Sequence, residues 1–160
     1  MKSILFICMG NICRSPVVEA IARAQFARAG LAIEVASAGI ENYHIGNSAD
    51  RRAIASAAAH GYDVKPHRAR QVDAAMLAGF DHALVMDKLN LRELGAMGVG
   101  EHLQRVALFL PFAGIDEPVE VPDPYYGGAA DFERVIELAE AGVRGLISRL
   151  ALAHNGGMRK

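Results

Sequence analysis

Residues 4–16 read Ile4-Leu5-Phe6-Ile7-Cys8-Met9-Gly10-Asn11-Ile12-Cys13-Arg14-Ser15-Pro16. The first four residues have the composition of a strand that is buried on both faces. A short, turn-prone loop follows, and Ser-Pro is typical of a helix start because proline suits the first helical position. The stretch therefore predicts a strand, a loop and a helix in direct succession, with a cysteine where the strand ends.

The loop after this strand has the features of a phosphate-binding site. Successive backbone N–H groups of such a loop converge on an anion, and the helix N-terminus adds the positive end of its dipole. The guanidinium of Arg14 can bind two phosphate oxygens at once. Gly10 and Asn11 are residue types that tolerate left-handed backbone angles, as a tight turn around an anion requires. We therefore expect a phosphate group to bind above Cys8.

Cys8 is the candidate nucleophile in this loop. The thiolate is the reactive form of a cysteine, and both a helix N-terminus and an arginine favour it. Ser15 either caps the helix or directs its hydroxyl at the sulfur and stabilises the thiolate. A cysteine at a strand end is often only a small buried residue. The combination of strand, Gly-Asn turn, Cys-x5-Arg-Ser-Pro and helix favours the catalytic interpretation.

Composition limits the possible classes of protein. A chain of 160 residues predicts one domain over residues 1–160, and 52% apolar with 22% charged residues is ordinary for a globular protein. The net charge of -1 indicates neither a nucleic-acid partner nor an anionic membrane surface. The two cysteines share one loop, which argues against a disulfide framework. With no signal-peptide pattern or membrane-length apolar run, we expect a cytoplasmic protein.

Apolar runs alternate with helical patterns along the chain, which predicts a doubly wound α/β fold around a small parallel sheet. Strands are expected at residues 3–8, 32–37, 82–86 and 105–110. Helices are expected at residues 16–29, 49–60, 89–97 and 131–153, with Gly30, Gly61 and Gly98 near C-terminal caps. In such folds the site lies beyond the carboxyl ends of the strands, where the loop of Cys8 is expected.

Asp123 is the candidate proton donor for the leaving oxygen of a phosphate ester. It stands between Pro122 and Pro124, which restrict its backbone. The next residues, Tyr125 and Tyr126, can stack on a flat aromatic leaving group. Asp-Pro and Tyr-Gly are also ordinary turn sequences, so this segment alone leaves the role of Asp123 open.

The chain resembles the low-molecular-weight protein tyrosine phosphatases nearly from end to end. The resemblance rests on residues 5–16 and on the blocks Ser37-Ala38-Gly39, Asp50-Arg51-Arg52-Ala53, His67-Arg68-Ala69-Arg70-Gln71, Met86-Asp87-x-x-Asn90-Leu91 and Asp123-Pro124-Tyr125-Tyr126-Gly127. It implies a single flavodoxin-like domain with a four-stranded parallel sheet, helices on both faces, and no metal or other cofactor.

The same resemblance implies roles for individual residues. Cys8 would form a phosphocysteine, Arg14 would bind phosphate and stabilise the transition state, and Asp123 would act as general acid and then general base. Ser15 would tune the thiolate, Asn11 would hold the loop shape, and His67 would support Asn11 from behind. The implied substrate-binding residues are Met9, Gly10, Asn11, Ile12, Cys13, Ser15, Tyr43, Tyr125 and Tyr126.

Cys13 matches the second loop cysteine of that family. It would form a reversible disulfide with Cys8 under oxidation and so protect the nucleophile from over-oxidation. The alternative is that Cys13 is only a small buried residue. Asp87, which precedes Asn90, is interpreted as a helix cap or loop anchor.

Three other functions compete with this interpretation. Thiol-dependent arsenate reductases share this fold but need further cysteines downstream, and the chain has none after Cys13. Phosphoarginine phosphatases share the chemistry but tend to have threonine in place of Ile12, whose apolar side chain suits an aryl ring. A phosphate-binding module without activity would lack the cysteine, the arginine or the acid.

The expected partner is a protein that carries phosphotyrosine. Bacterial members of the resembled family often act on tyrosine-autophosphorylating kinases, and others are exported, so the sequence leaves the substrate open. The chain is expected to be a monomer or to self-associate weakly through its exposed tyrosine pair.

Overall fold

A parallel sheet of four strands forms the centre of the protein. The computed structural model describes residues 2–158 and contains the strands β1 (Ser3–Cys8), β2 (Glu34–Gly39), β3 (His82–Val85) and β4 (Val106–Leu108). Their order across the sheet is β2-β1-β3-β4, and every neighbouring pair is parallel. The predicted single α/β domain is therefore confirmed. Of the predicted span 1–160, residues 1, 159 and 160 lie outside the described residues.

Helices follow the strands and cover both faces of the sheet. They are α1 (Arg14–Arg28), α2 (Arg51–Ala59), α3 (Ala74–Ala78), α4 (Lys88–Ala96), α5 (Phe109–Phe112) and α6 (Ala129–Met158), with a 3-10 helix at Gly100–Arg105. Gly30, Gly61 and Gly98 have positive φ angles just after α1, α2 and α4, as predicted for C-terminal caps.

The central strand β1 supplies side chains to two separate cores. Ile4 and Phe6 point to the face covered by α1, α2, α5 and α6, whereas Leu5 and Ile7 point to the face covered by α3, α4 and the 3-10 helix. All four side chains are fully buried. A strand buried on both faces cannot alternate apolar with polar residues, which explains the continuous apolar run.

The direction of the chain changes at β1. From β1 the chain crosses to β2 on one side and then returns to β3 on the other side. Ligands of open α/β folds bind in the crevice at such a switch point, beyond the carboxyl ends of the strands. The segments after Cys8 and Val85 therefore meet at one edge of the sheet.

Element boundaries differ from prediction mainly where local signals were ambiguous. The predicted strand at residues 105–110 is wrong at its end, because Phe109 and Leu110 are buried within the short helix α5. A short apolar run does not distinguish a buried strand from a buried helix. The helix predicted from Pro16 begins at Arg14 instead, and proline is tolerated there because the first helical N–H groups have no partner within the helix.

Two further differences concern the position of β2 and the presence of two short helices. β2 lies two residues beyond the predicted 32–37, and α3 and the 3-10 helix were not predicted.

Among the residues from 2 to 158, no helix is both long enough and apolar enough to cross a bilayer.

Candidate active site

A cavity of about 440 Å³ opens at the carboxyl edge of the sheet. Its lining combines two thiols, a guanidinium, two carboxyl groups and three tyrosines within one space. The lining residues are Cys8, Met9, Gly10, Ile12, Cys13, Arg14, Glu41, Tyr43, His44, Asp123, Tyr125 and Tyr126. The structure thus brings the predicted nucleophile, phosphate-binding arginine and acid together.

Residues 8–15, from the last residue of β1 to the second residue of α1, are termed the phosphate loop. Asn11 has a φ of 58°, so the predicted left-handed angle occurs at this residue. Gly10 is not among the residues with positive φ, and the expectation of a left-handed angle there is wrong. A Cβ atom on Gly10 would lie 3.1 Å from Cδ2 of His44, so a larger residue at this position would require the His44 ring to shift by a few tenths of an ångström.

A hydrogen bond joins the candidate nucleophile to Ser15, whose Oγ lies 3.0 Å from Sγ of Cys8. Ser15 Oγ also accepts a hydrogen bond from Nδ2 of Asn11 at 2.8 Å. A hydroxyl has only one proton to donate. The proton of Ser15 is therefore available to the sulfur, which favours the thiolate. Of the two predicted roles of Ser15, the structure shows contact with the sulfur, and no side-chain cap precedes α1.

The buried side chain of Asn11 holds the shape of the phosphate loop. Its side-chain amide donates to Ser15 and, at 2.9 Å, to Ser37 Oγ, while its Oδ1 accepts from the backbone N–H of Arg70. Ser37 in turn donates to a carboxylate oxygen of Glu19 at 2.6 Å. Every hydrogen-bonding group of the Asn11 side chain is thus used, which fixes its orientation.

His67 supports the same turn through the backbone. Its Nε2 lies 2.7 Å from the carbonyl oxygen of Asn11, so Nε2 carries the proton and donates it. Burial lowers the pKa of His67, although the hydrogen bond to Asn11 partly opposes this effect. The ring is therefore neutral at pH 7, and it contacts Asn11 as the resemblance implied.

Arg14 is held from two sides. Nη1 lies 2.5 Å from Oδ2 of Asp87 and donates to the carbonyl oxygen of Val121 at 2.9 Å, while Nη2 lies 3.7 Å from Oδ2 of Asp123. Burial opposes the positive charge of Arg14. The nearby negative charges of Cys8, Asp87 and Asp123 outweigh this effect and raise the pKa of Arg14 above its ordinary value. A fully charged guanidinium in a fixed position is suited to bind phosphate oxygens.

Asp123 lines the cavity and belongs to residues 122–128, termed the acid loop. Its side chain is 51% exposed, and its Oδ1 accepts a hydrogen bond from the N–H of Tyr125 at 3.0 Å. The rings of Tyr125 and Tyr126 pack edge to face with centroids 4.9 Å apart. Together with the exposed Tyr43, they border the mouth of the cavity.

Cys13 lines the cavity but differs from Cys8 in its surroundings. Burial, and then the negative charges of Asp50 and Cys8, raise the pKa of Cys13 well above that of an ordinary thiol. Cys13 therefore remains protonated at neutral pH, and only Cys8 has a hydroxyl directed at its sulfur. Both cysteines are free and buried.

Two residues predicted to bind substrate lie behind the cavity. Asn11 and Ser15 are fully buried, and their side chains are not part of the lining. The other predicted residues line it, and Glu41 and His44 join them without having been predicted. Among the side chains that the structure describes, no cluster of three or more His, Cys, Asp or Glu is placed to hold a metal.

The contact of Asp87 with Arg14 was also missed by sequence reasoning. Asp87 does cap α4, since its Oδ1 accepts from the N–H of Asn90 at 2.7 Å. Its second oxygen, however, pairs with an arginine that is distant in the sequence. The sequence shows that Arg14 and Asp87 each follow a strand of a parallel sheet. It does not specify that these strands, β1 and β3, are neighbours.

Comparisons with known proteins show which family this chain belongs to. The family model of the low molecular weight phosphotyrosine protein phosphatases matches residues 3–155. Low molecular weight protein-tyrosine phosphatase A of Mycobacterium tuberculosis is 39% identical over 158 residues, which cover 96% of this chain and 95% of that protein.

Solved structures show the same architecture. A protein tyrosine phosphatase from Entamoeba histolytica, with Hepes in its active site, has a TM-score of 0.88 at 34% identity and covers 96% of this chain and 99% of its own. Vibrio vulnificus Wzb in complex with benzylphosphonate has a TM-score of 0.82 at 29% identity, covering 92% and 98%. The predicted phosphatase class is thereby confirmed, and this chain belongs to the low molecular weight phosphotyrosine protein phosphatase family.

Proposed function

We propose that this protein hydrolyses phosphotyrosine in proteins through a covalent phosphocysteine on Cys8. One observation carries the proposal: a single cavity contains the thiol of Cys8, the guanidinium of Arg14 and the carboxyl group of Asp123. These groups supply the nucleophile, the phosphate ligand and the proton donor that hydrolysis of a phosphate ester requires.

The first half-reaction transfers the phosphoryl group to the enzyme. The thiolate of Cys8, stabilised by the hydroxyl of Ser15, attacks phosphorus and forms an S–P bond. The bond between phosphorus and the tyrosine oxygen breaks, and protonated Asp123 gives its proton to that oxygen. Arg14 and the N–H groups of the phosphate loop bind the equatorial oxygens, where negative charge is concentrated.

The second half-reaction regenerates the enzyme. The carboxylate of Asp123 takes a proton from water, and the water oxygen attacks phosphorus. The S–P bond breaks, inorganic phosphate leaves, and Cys8 returns to the thiolate. Each proton that Asp123 gives in the first step is replaced in the second.

The lining of the cavity favours an aromatic leaving group. The apolar side chain of Ile12 lies in the wall, and Tyr43, Tyr125 and Tyr126 border the mouth. Such a slot suits the ring of phosphotyrosine better than the charged guanidinium of phosphoarginine. The related Wzb binds benzylphosphonate, in which a benzyl group and phosphonate stand in for the aryl ring and phosphate of the substrate.

The test compares kcat/KM for phosphotyrosine and phosphoarginine peptides of the same flanking sequence, with wild type beside Cys8→Ser. We expect hydrolysis of phosphotyrosine, with activity lost in Cys8→Ser but binding of inorganic phosphate retained. Preference for phosphoarginine would keep the mechanism and change the substrate. Full activity of Cys8→Ser would exclude the phosphocysteine.

A further inference from the structure

We propose that Arg52 is a positioning residue for Asp123, holding the acid loop at a set distance from the phosphate loop. The inference rests on the proposed role of Asp123 as proton donor. Arg52 lies in the first turn of α2, does not line the cavity, and has 45% of its side chain exposed. It therefore acts on Asp123 through the backbone and not on the substrate.

The guanidinium of Arg52 joins two chain segments, the acid loop and the N-cap residue of α2, Asp50. Nη2 donates to the carbonyl oxygen of Tyr125 at 2.8 Å, and Nη1 donates to that of Gly127 at 3.3 Å. On its other edge, Nε and Nη2 bind the two carboxylate oxygens of Asp50 at 3.1 and 3.0 Å. Only a planar group with several fixed donors can make these bonds together, and a lysine ammonium cannot.

The link continues to both catalytic loops. The backbone N–H of Asp50 donates to the carbonyl oxygen of Ile12, within the phosphate loop, at 2.8 Å. On the opposite side, Tyr125 accepts from Arg52 at its carbonyl and donates its own N–H to Oδ1 of Asp123. The path from the phosphate loop to the acid thus passes through Asp50, Arg52 and Tyr125.

Two aromatic rings lie near the guanidinium of Arg52. Its Cζ lies 4.5 Å from the ring centroid of Phe132 and 5.7 Å from that of Tyr125. Phe132 is 2% exposed and belongs to the buried core at the start of α6. Arg52 is therefore anchored to the rigid part of the fold, whereas the acid loop has no regular secondary structure of its own.

The test uses two esters that differ in their need for a proton. Phenyl phosphate has a poor leaving group and needs the acid, whereas p-nitrophenyl phosphate has a good leaving group and needs it far less. The parameter kcat/KM reports the steps up to departure of the leaving group. For Arg52→Ala we expect kcat/KM to fall roughly tenfold to hundredfold on phenyl phosphate, with a several-fold smaller loss on p-nitrophenyl phosphate.

Controls separate positioning from a general effect on the fold. Arg51 is exposed and adjacent to Arg52 in the sequence, and Arg51→Ala should leave kcat/KM on both esters near the wild-type value. Arg52→Lys should show the same selective loss, because the charge alone cannot bridge the contacts. Inhibition by inorganic phosphate should remain within about threefold of wild type, which shows an intact phosphate loop. An equal loss on both esters, in Arg52→Ala or in the milder Arg52→Lys, would overturn the inference.

Asp123→Ala distinguishes this inference from the proposed function. If Arg52 acts through Asp123, the double variant should show no further selective loss beyond Asp123→Ala. A further selective loss in the double variant would show that Arg52 acts independently of Asp123. If Asp123→Ala itself reduces kcat/KM equally on both esters, the proposed acid role of Asp123 is wrong, and so is the positioning role of Arg52.

Discussion

Nη1 of Arg14 lies 2.5 Å from Oδ2 of Asp87, and this ion pair joins the phosphate loop to the N-terminus of α4. The Arg14 side chain is 3% exposed, so little water solvates its charge. Asp87 therefore has two roles, since one oxygen caps a helix and the other fixes the guanidinium that faces the substrate. The Arg14–Asp87 pair connects the segments that follow β1 and β3.

Asp87→Asn should separate these two roles. Asparagine retains the cap on α4 but loses the charge that faces Arg14. We expect kcat/KM to fall by roughly tenfold to hundredfold as Arg14 loses its fixed position, and the free energy of unfolding to fall by about 1–3 kcal/mol. Steady-state kinetics and urea unfolding measure these effects. Asp73→Asn, at the equivalent cap of α3 outside the cavity, is the control and should change neither. Unchanged kinetics in Asp87→Asn would contradict the role of the pair.

Ser15→Ala should reduce the reactivity of Cys8, because the sulfur loses the hydroxyl that lies 3.0 Å away. A hydrogen bond to a charged group contributes about 1.5–3 kcal/mol, which corresponds to a roughly tenfold or greater loss. The rate of alkylation by iodoacetate at pH 6 measures the thiolate directly. Ser37→Ala removes a hydroxyl of the same network that does not contact the sulfur, and should have a smaller effect. Equal alkylation rates in wild type and Ser15→Ala would refute this role.

His67→Gln should reduce the dependence of stability on pH. Burial lowers the pKa of His67, so below about pH 6.5 the unfolded chain takes up a proton that the folded protein resists. Stability is therefore lost as the pH falls, and a glutamine at this position, which does not titrate, should remove that part of the loss. Tm measured between pH 7.5 and 5.5 tests the slope. A wild-type slope in His67→Gln would contradict this role of His67.

Mild peroxide should inactivate the enzyme reversibly through a disulfide between Cys8 and Cys13. Peroxide oxidises Cys8 to a sulfenic acid, and Cys13 then displaces water from that sulfur. Because burial raises the pKa of Cys13, its thiolate is scarce at pH 7, and the fraction recovered by a thiol reductant should increase toward higher pH. Mass spectrometry checks the product. Cys13→Ser should give irreversible sulfinic and sulfonic acids at Cys8, and such acids as the sole products in wild type would argue against protection.

Two glycine-to-alanine changes in helices should have opposite effects on stability. A Cβ atom on Gly142 in α6 would lie 2.3 Å from the ring of Phe109, so Gly142→Ala should destabilise the fold by about 1–3 kcal/mol. On Gly95 in α4, the nearest atom is 4.0 Å away, and Gly95→Ala should stabilise it by about 0.5–1 kcal/mol. Thermal unfolding distinguishes the two variants, and a Gly142→Ala variant at least as stable as wild type would show that close packing of α6 on α5 is not required.

The sequence by itself determined the features that depend on neighbours along the chain. The apolar run of β1, the turn residues around Asn11 and the glycines after three helices follow from local backbone chemistry, and they predicted both the fold class and the phosphate loop. Cys8, Arg14 and Ser15 were identified for the same reason, because the whole loop lies within one short stretch.

Only the tertiary structure decided which distant residues complete the site. The pairing of Arg14 with Asp87, and the bridge from Asp50 through Arg52 to Tyr125, join segments far apart in the sequence. Their positions depend on the strand order β2-β1-β3-β4 and on the packing of α2 near the acid loop. Local patterns do not encode these relations, because a side chain's charge and length are visible in the sequence, whereas the partner that it reaches depends on how the elements pack.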